Sequence, residues 1–384
     1  MSSTLIENIT LVTSNAIKEN YSLLLTEDKI TSISPSHENS SLPPDTTTLD
    51  AKGAYALPGL IDLHIHGFAG HGPEVGTPEE LEAMSQTLAH YGVTAFCPTL
   101  YCAQPQQMKE LLRRLSPAIG RETGAQILGF HLEGPFISPA KPGVMKPQDI
   151  APADVRILEE LYEAANGKIT CITLAPELPG ITPVIDFCLH HHILPQAGHT
   201  NATYEEFISG VRSGVTHATH AFNAMSAFTQ RAPGAAGAVL MCPDVSCEII
   251  ADGVHVHPKI ISFLQRVKKE DQIILITDAL RPTAQPQGPF IANGEEVVFE
   301  GGVWKRAADR VIAGSALTLV QGIKNLVNFG FSLPQAVSCA SHNPARLLGL
   351  NDRGLLQEGL RADVTLLNKD LTPLATFVAG HKVA

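Results

Sequence analysis

Aromatic side chains are scarce in this sequence, at 5% of 384 residues with a single tryptophan. So few flat rings argue against a surface that stacks sugars or bases. No run of 18 or more apolar residues occurs, so no helical membrane span and no membrane partner are expected. Positive charge is also short. The 27 Lys and Arg against 38 Asp and Glu leave a net charge of −11, and no Lys/Arg stripe offsets it locally. A field of that sign repels a polyanion, which disfavours nucleic acid as a partner. Cysteine is sparse too: the seven (97, 102, 171, 188, 242, 247 and 339) are odd in number and contain no Cys-x-x-Cys pair. That argues against a disulfide framework and against a thiolate zinc site, and suits buried thiols in a reducing compartment. The opening residues lack a basic segment followed by an apolar one, so no secretory signal is expected and a cytoplasmic location is.

What is abundant points elsewhere. Hydrophobic residues make up 44% of the chain and charged residues 17%, enough to bury a large core. Histidine stands out at 16. Between about residues 57 and 353, apolar runs alternate with helical stretches. Strands are expected at 60–65, 94–98, 127–132, 169–174, 193–196, 217–219, 247–251 and 273–277, with helices such as 78–91, 105–115, 153–165, 204–213 and 258–267 between them. The spacing from His64 to Asp278 averages about 31 residues per strand, as a closed (β/α)8 TIM-like barrel requires. Strand-like composition at both chain ends (1–56 and 354–384) suggests a small β-sandwich domain built from the two termini, with 34–48 read as a loop. Gly and Asn-Gly turns at 287–305 suggest a β-hairpin insertion, followed by a helix at 316–329.

The chemistry gathers at the ends of the expected strands. In Leu60-Ile61-Asp62-Leu63-His64-Ile65-His66, alternation along a strand sends His64 and His66 to one side. The third strand ends in Glu133, the fifth runs into Gly198-His199, the sixth into Thr219-His220 and the eighth into Asp278. In a barrel these ends converge on one face. Imidazoles and carboxylates converging there suit zinc, iron or manganese. Other histidines carry blander readings: an exposed run at His190–His192, a mouth-loop residue at His71, a turn residue at His257. His131 is left open between structural and supporting roles, and Trp304 is expected to pack the insertion.

Taken together, HLEGPF (131–136), LAPE (174–177), GHTNATY (198–204), THAFNAM (219–225), RAPG (231–234), IIADGVHVHP (249–258) and AGSALT (313–318) carry a resemblance over nearly the whole chain. The sequence resembles the amidohydrolase superfamily and, within it, the N-acetylglucosamine-6-phosphate deacetylases. The resemblance implies a metal held by Glu133, His199 and His220, and Asp278 as the catalytic acid and base. Members with His-x-His at the first motif can hold a second ion, so His64 and His66 imply one or two divalent ions per subunit. Asn223, Ala224, Arg231 and His255 match positions that hold the sugar phosphate. Arg231 reaches the neighbouring subunit in some members, which implies a homodimer. The implied reaction is removal of the acetyl group from N-acetylglucosamine 6-phosphate; the galactosamine epimer, another amidohydrolase chemistry and a non-catalytic sugar-phosphate sensor are the rival readings. One departure stands out. The family usually has Lys-x-Gly-x-His after HLEGP, with the His on the acetyl carbonyl, but here Met145 occupies the place of that His. A thioether cannot donate a hydrogen bond.

Overall fold

Eight short, almost wholly buried strands form the centre of the molecule. They are Leu60–Ile65 (β1), Val93–Leu100 (β2), Phe130–Glu133 (β3), Ile169–Leu174 (β4), Leu194–Ala197 (β5), His217–Ala218 (β6), Ser246–Ile250 (β7) and Ile273–Ile276 (β8). The structure, a computed structural model, describes residues 3–36, 42–285 and 290–384. Neighbours in sequence are neighbours in the sheet from β1 to β8, and every pair is parallel. Such strands are covered on the outside by crossover helices and so read as continuous apolar runs. One helix follows each strand: Pro78–His90, Pro105–Leu115, Val155–Ala164, Ile181–His190, Tyr204–Ser213, Gly234–Met241, Pro258–Val267 and Leu319–Asn328. Pro105–Leu115 shows why they dock. Met108, Leu112 and Leu115 recur at helical spacing and are buried, while Glu110, Arg113 and Arg114 face solvent. Each apolar side chain so buried contributes about 1.5–3 kcal/mol.

The barrel closes between β8 and β1 with few backbone bonds. Asp278 N–H donates to His64 O at 2.9 Å and His66 N–H donates to Ala279 O at 2.9 Å. Below them the buried Asp62 carboxylate accepts from the Thr277 hydroxyl at 2.6 Å and from its N–H at 3.3 Å. A side chain thus substitutes for part of the missing ladder.

The chain ends meet in a second sheet of eight strands. Val364–Leu367 pairs with Tyr55–Pro58, which in turn pairs with Ser3–Val12. Strands near opposite ends of its order share one apolar cluster, with Leu23, Leu25 and Ile30 from one end and Ala375 and Phe377 from the other. The sandwich expected from the termini therefore takes the form of one sheet curled over its own core.

Three details differ from the sequence reading. The segment 34–48 is not all loop: Thr47–Asp50 pairs in parallel with Thr4–Glu7, while 37–41 lies outside the described residues. The third expected strand is broken into Gln126–Ile127 and Phe130–Glu133. The insertion is a four-stranded antiparallel sheet, not a single hairpin: Phe290–Ala292, Glu295–Glu300, Val303–Arg306 and Ile312–Ser315. The expected start of the insertion at Gln287 lies outside the described residues. Its first two turns are Asn293-Gly294 and Gly301-Gly302, each with φ positive at both positions, the backbone that a two-residue hairpin demands. Trp304 packs against Phe290 and Phe299 there and donates from Nε1 to Thr283 Oγ1.

Candidate metal centre

Alternation along β1 places Asp62, His64 and His66 on the inner side, one above another towards the barrel mouth. Glu133 ends β3. His199, His220 and Asp278 lie two residues beyond the ends of β5, β6 and β8, with φ of +46°, +25° and +49°. L-residues adopt that left-handed region at a cost, and such positions concentrate at functional sites. Here the sharp turn swings each side chain off the rim and over the opening.

The result is two overlapping triads, His64–His66–Glu133 and Glu133–His199–His220, all five residues buried. Glu133 Oε1 lies 3.0 Å from both His199 Nε2 and His220 Nε2, and those nitrogens are 3.2 Å apart. Glu133 Oε2 is 3.1 Å from His66 Nε2, and His64 Nε2 is 3.5 Å from Glu133 Oε1. Asp278 Oδ1 completes the group, 3.4 Å from His66 Nε2 and 3.5 Å from His64 Nε2.

Two imidazole nitrogens facing each other at 3.2 Å leave room for one proton between them or one cation among them. Ligand atoms tetrahedrally disposed at about 2.0–2.1 Å from a zinc ion stand roughly 3.3–3.4 Å apart, close to the spacing found. His64 Nε2 is buried with no hydrogen-bond partner, aimed at two carboxylates. The residues fit a divalent ion. Without one the carboxylates draw protons instead. Burial opposes charge on His64, but Asp278, Glu248 and Glu133 raise it to about 10. Burial likewise opposes charge on Glu133, yet His199, His220 and His66 hold it well below the usual carboxylate range.

Backbone and side-chain partners behind the rings fix which nitrogen faces the centre. His199 Nδ1–H donates to Lys141 O at 3.0 Å, leaving Nε2 free as a ligand. Lys141 therefore matters through its carbonyl. Gly143 permits the loop's close approach: a Cβ there would sit 3.0 Å from His199 Cε1, and its φ of +57° disfavours other residues. His131 is not a ligand. Its two nitrogens are 3.1 Å from Thr99 Oγ1 and 2.8 Å from Thr173 Oγ1, and burial beside His64 keeps it neutral. His257 caps the helix at Pro258, and His71 pairs with Glu80 away from the triads.

A cavity of about 440 Å³ opens over this group. Asn223, Ala224 and His255 line it with His66, Tyr101, Glu133, His199, His220, Asp278 and the loop 140–145, Met145 included. Asn223 spends its amide on its own loop, donating to His220 O and Ala221 O. The His255 ring is held by Asp252 Oδ2 at 2.6 Å. Arg231 is exposed and is not among the residues lining this cavity. Four residues around the site were missed in the sequence reading: Asp62, Glu248, Tyr101, whose ring stacks on His66 at 3.8 Å, and the Lys141 carbonyl. An acid alone inside an apolar run (Asp62, Glu248) was the available signal for two of them.

The profile of the amidohydrolase family matches residues 55–383. The chain belongs to the amidohydrolase family. As an amidohydrolase it is 30% identical to an N-acetylglucosamine-6-phosphate deacetylase of Lysinibacillus sphaericus, over 99% of this chain and 97% of that one. It is also 31% identical to an N-acetylgalactosamine-6-phosphate deacetylase of Escherichia coli O157:H7, over 97% of each. Among solved structures, the N-acetylglucosamine-6-phosphate deacetylase of Pasteurella multocida superposes with a TM-score of 0.92 at 29% identity, covering 99% of both chains.

Proposed function

We propose that this amidohydrolase hydrolyses the N-acetyl group of N-acetylglucosamine 6-phosphate, giving glucosamine 6-phosphate and acetate. The observation that carries the reaction class is the pair of triads sharing Glu133 beside Asp278 on the floor of an open cavity. Full-length similarity to relatives of that name supports the substrate.

His199, His220 and Glu133 would hold one divalent ion, and His64, His66 and Glu133 a second. Bound there, such an ion supplies a water of lowered pKa and a Lewis acid for the amide carbonyl. Asp278 takes the proton of the attacking water and returns it to the leaving nitrogen as the C–N bond breaks. Such general acid–base assistance is typically worth about 10²–10⁴-fold. Asn223 holds the loop that brings Ala224 to the cavity, and His255, its Nδ1–H donated to Asp252, keeps Nε2 to accept from a sugar hydroxyl. Arg231, exposed beside Phe228 on the loop before Gly234–Met241, suits the phosphate of a partner's site in a homodimer. That local cation reconciles an anionic substrate with a chain of net charge −11. The seven unpaired, buried thiols fit a reducing compartment, and no helix of the described residues is long and apolar enough to cross a membrane; we place the protein in the cytoplasm.

Zinc-loaded protein, with metal content measured alongside, is to be assayed for acetate release from the two epimeric N-acetylhexosamine 6-phosphates. Release from both, with the larger kcat/KM on the glucosamine form, is the expected result. Preference for the galactosamine form would move the substrate to the epimer. Binding of either sugar phosphate by fully metallated protein without acetate release would make the chain a sensor.

A further inference from the structure

Glu248 lies in the middle of β7 with no exposed surface, in the otherwise apolar run Cys247-Glu248-Ile249-Ile250. A carboxylate buried inside a barrel costs several kcal/mol unless it is paired and hydrogen-bonded. Its Oε2 is committed twice: it accepts from His64 Nδ1–H at 3.1 Å and from the His220 backbone N–H at 3.0 Å. The first bond holds the hydrogen of Nδ1, so that Nε2 is the nitrogen facing the Oδ1 and Oε1 oxygens of Asp278 and Glu133, each 3.5 Å away. Between those carboxylates Nε2 holds either a proton or, as a lone-pair donor, a metal cation. The second bond steadies the backbone of His220 at its strained φ of +25°. One oxygen thus grips a ring from one triad and the main chain of the other.

We infer that Glu248 is a positioning residue that makes His64–His66–Glu133 a competent cation site and ties it to the Glu133–His199–His220 site through His220. The inference rests on the metal-centre part of the proposed function and not on its substrate.

Glu248→Gln is the sharp test. With its oxygen at the place of Oε2 the amide still accepts from the His220 N–H and from His64 Nδ1–H, but it lacks the negative charge that strengthens the bond to the ring, and its nitrogen would face His217 Nε2, which lies 3.7 Å from Glu248 Oε1 and lacks a partner. Zinc alone is titrated into metal-free parent and variant against a competing chelator, with elemental analysis for stoichiometry and a melting curve of each metal-free protein. The parent is expected to bind two ions per subunit. The variant should keep the affinity of one site and lose about 10–100-fold at the other, with little change in metal-free melting temperature. Glu248→Ala, which removes both hydrogen bonds, should weaken both sites. A parent that binds one ion, a Gln variant with both affinities intact, or a Gln variant weakened equally at both sites would each overturn the inference. No substrate is present in this experiment, so absence of acetate release would sink the substrate reading and leave this one standing.

Discussion

In the curled terminal sheet the inward positions include Ile6, Ile9, Leu11, Leu23, Leu25, Ile30, Val364, Leu366 and Phe377, which form an apolar cluster. In the barrel, the same period-two alternation delivers Asp62, His64, Thr99, His131, Glu133, Thr173, Gln196, His217, Thr219 and Glu248 to positions just as buried. Many of these side chains bond to one another. Ile65 N–H donates to Thr99 Oγ1, His131 bridges Thr99 and Thr173, and Thr173, Thr219 and Gln196 continue the chain across the barrel. The terminal sheet uses its interior for stability. The barrel gives up apolar burial there to support a charged centre, because ligands held by a connected polar layer cannot rotate away. The difference predicts that mutations in the two interiors fail in different ways.

The largest separation is expected at Asp278. On the proposed mechanism, Asp278→Asn removes the group that moves the proton while leaving a side chain of the same shape. Acetate release should fall about 10²–10⁴-fold, with zinc content and melting temperature close to the parent's. Retained activity would show that another group carries the proton. The matching change in the other region is Ile9→Ala, which empties part of the terminal core. It should cost about 2–5 kcal/mol in denaturant unfolding, with kcat per folded molecule unchanged. A fall in kcat would mean the two interiors are not independent.

Much of this contrast was legible in the sequence, because a polar residue ending an apolar run is conspicuous. Glu133, His199, His220 and Asp278 announced themselves that way, and His64 and His66 through their spacing. What alternation did not supply is their aim: His199, His220 and Asp278 are oriented by left-handed turns beyond the strands, which no periodicity encodes. Glu248 and Asp62 were passed over because each sits inside a run whose apolar neighbours dominate the pattern. Thr47–Asp50 was hidden by a Thr- and Asp-rich composition, and becomes a strand only because Thr4–Glu7 offers its edge. The helix Gly234–Met241 opens Gly-Ala-Ala-Gly, a poor local helix former held in place by near-complete burial.

Removing the ions should act on the barrel alone. At free zinc about 100-fold above its dissociation constant, the bound form is stabilised by roughly 2.7 kcal/mol, so a chelator should lower the melting temperature accordingly. The pH dependence has a definite sign. Burial opposes charge on His64 and His199, but the neighbouring carboxylates raise both, His64 to about 10. In metal-free protein the stability contributed by protonated His64 is complete below its unfolded value, near 6.5, and is lost as the pH rises towards 10. Zinc must displace that proton, so zinc affinity should rise with pH over the same range. Affinity independent of pH between 6.5 and 9 would contradict the ligand role of His64.

The smallest expected effect lies where the two kinds of interior touch. Met145 lines the cavity over the triads, yet it also belongs to an apolar cluster with Tyr101, Ile137, Leu280, Ala292, Val297 and Trp304. Met145→His would put a hydrogen-bond donor where the thioether offers none. A net hydrogen bond is worth about 0.5–1.5 kcal/mol, so kcat should rise roughly 2- to 10-fold with KM little changed. The same ring must lodge in an apolar wall, so stability should fall slightly as activity rises. Opposite movement of the two quantities in one variant would mark Met145 as a place where packing is kept at the expense of rate. An unchanged kcat would instead mean that another donor such as Tyr101, which lines the cavity, already serves the carbonyl, and replacing Tyr101 with Phe in the same background would test that.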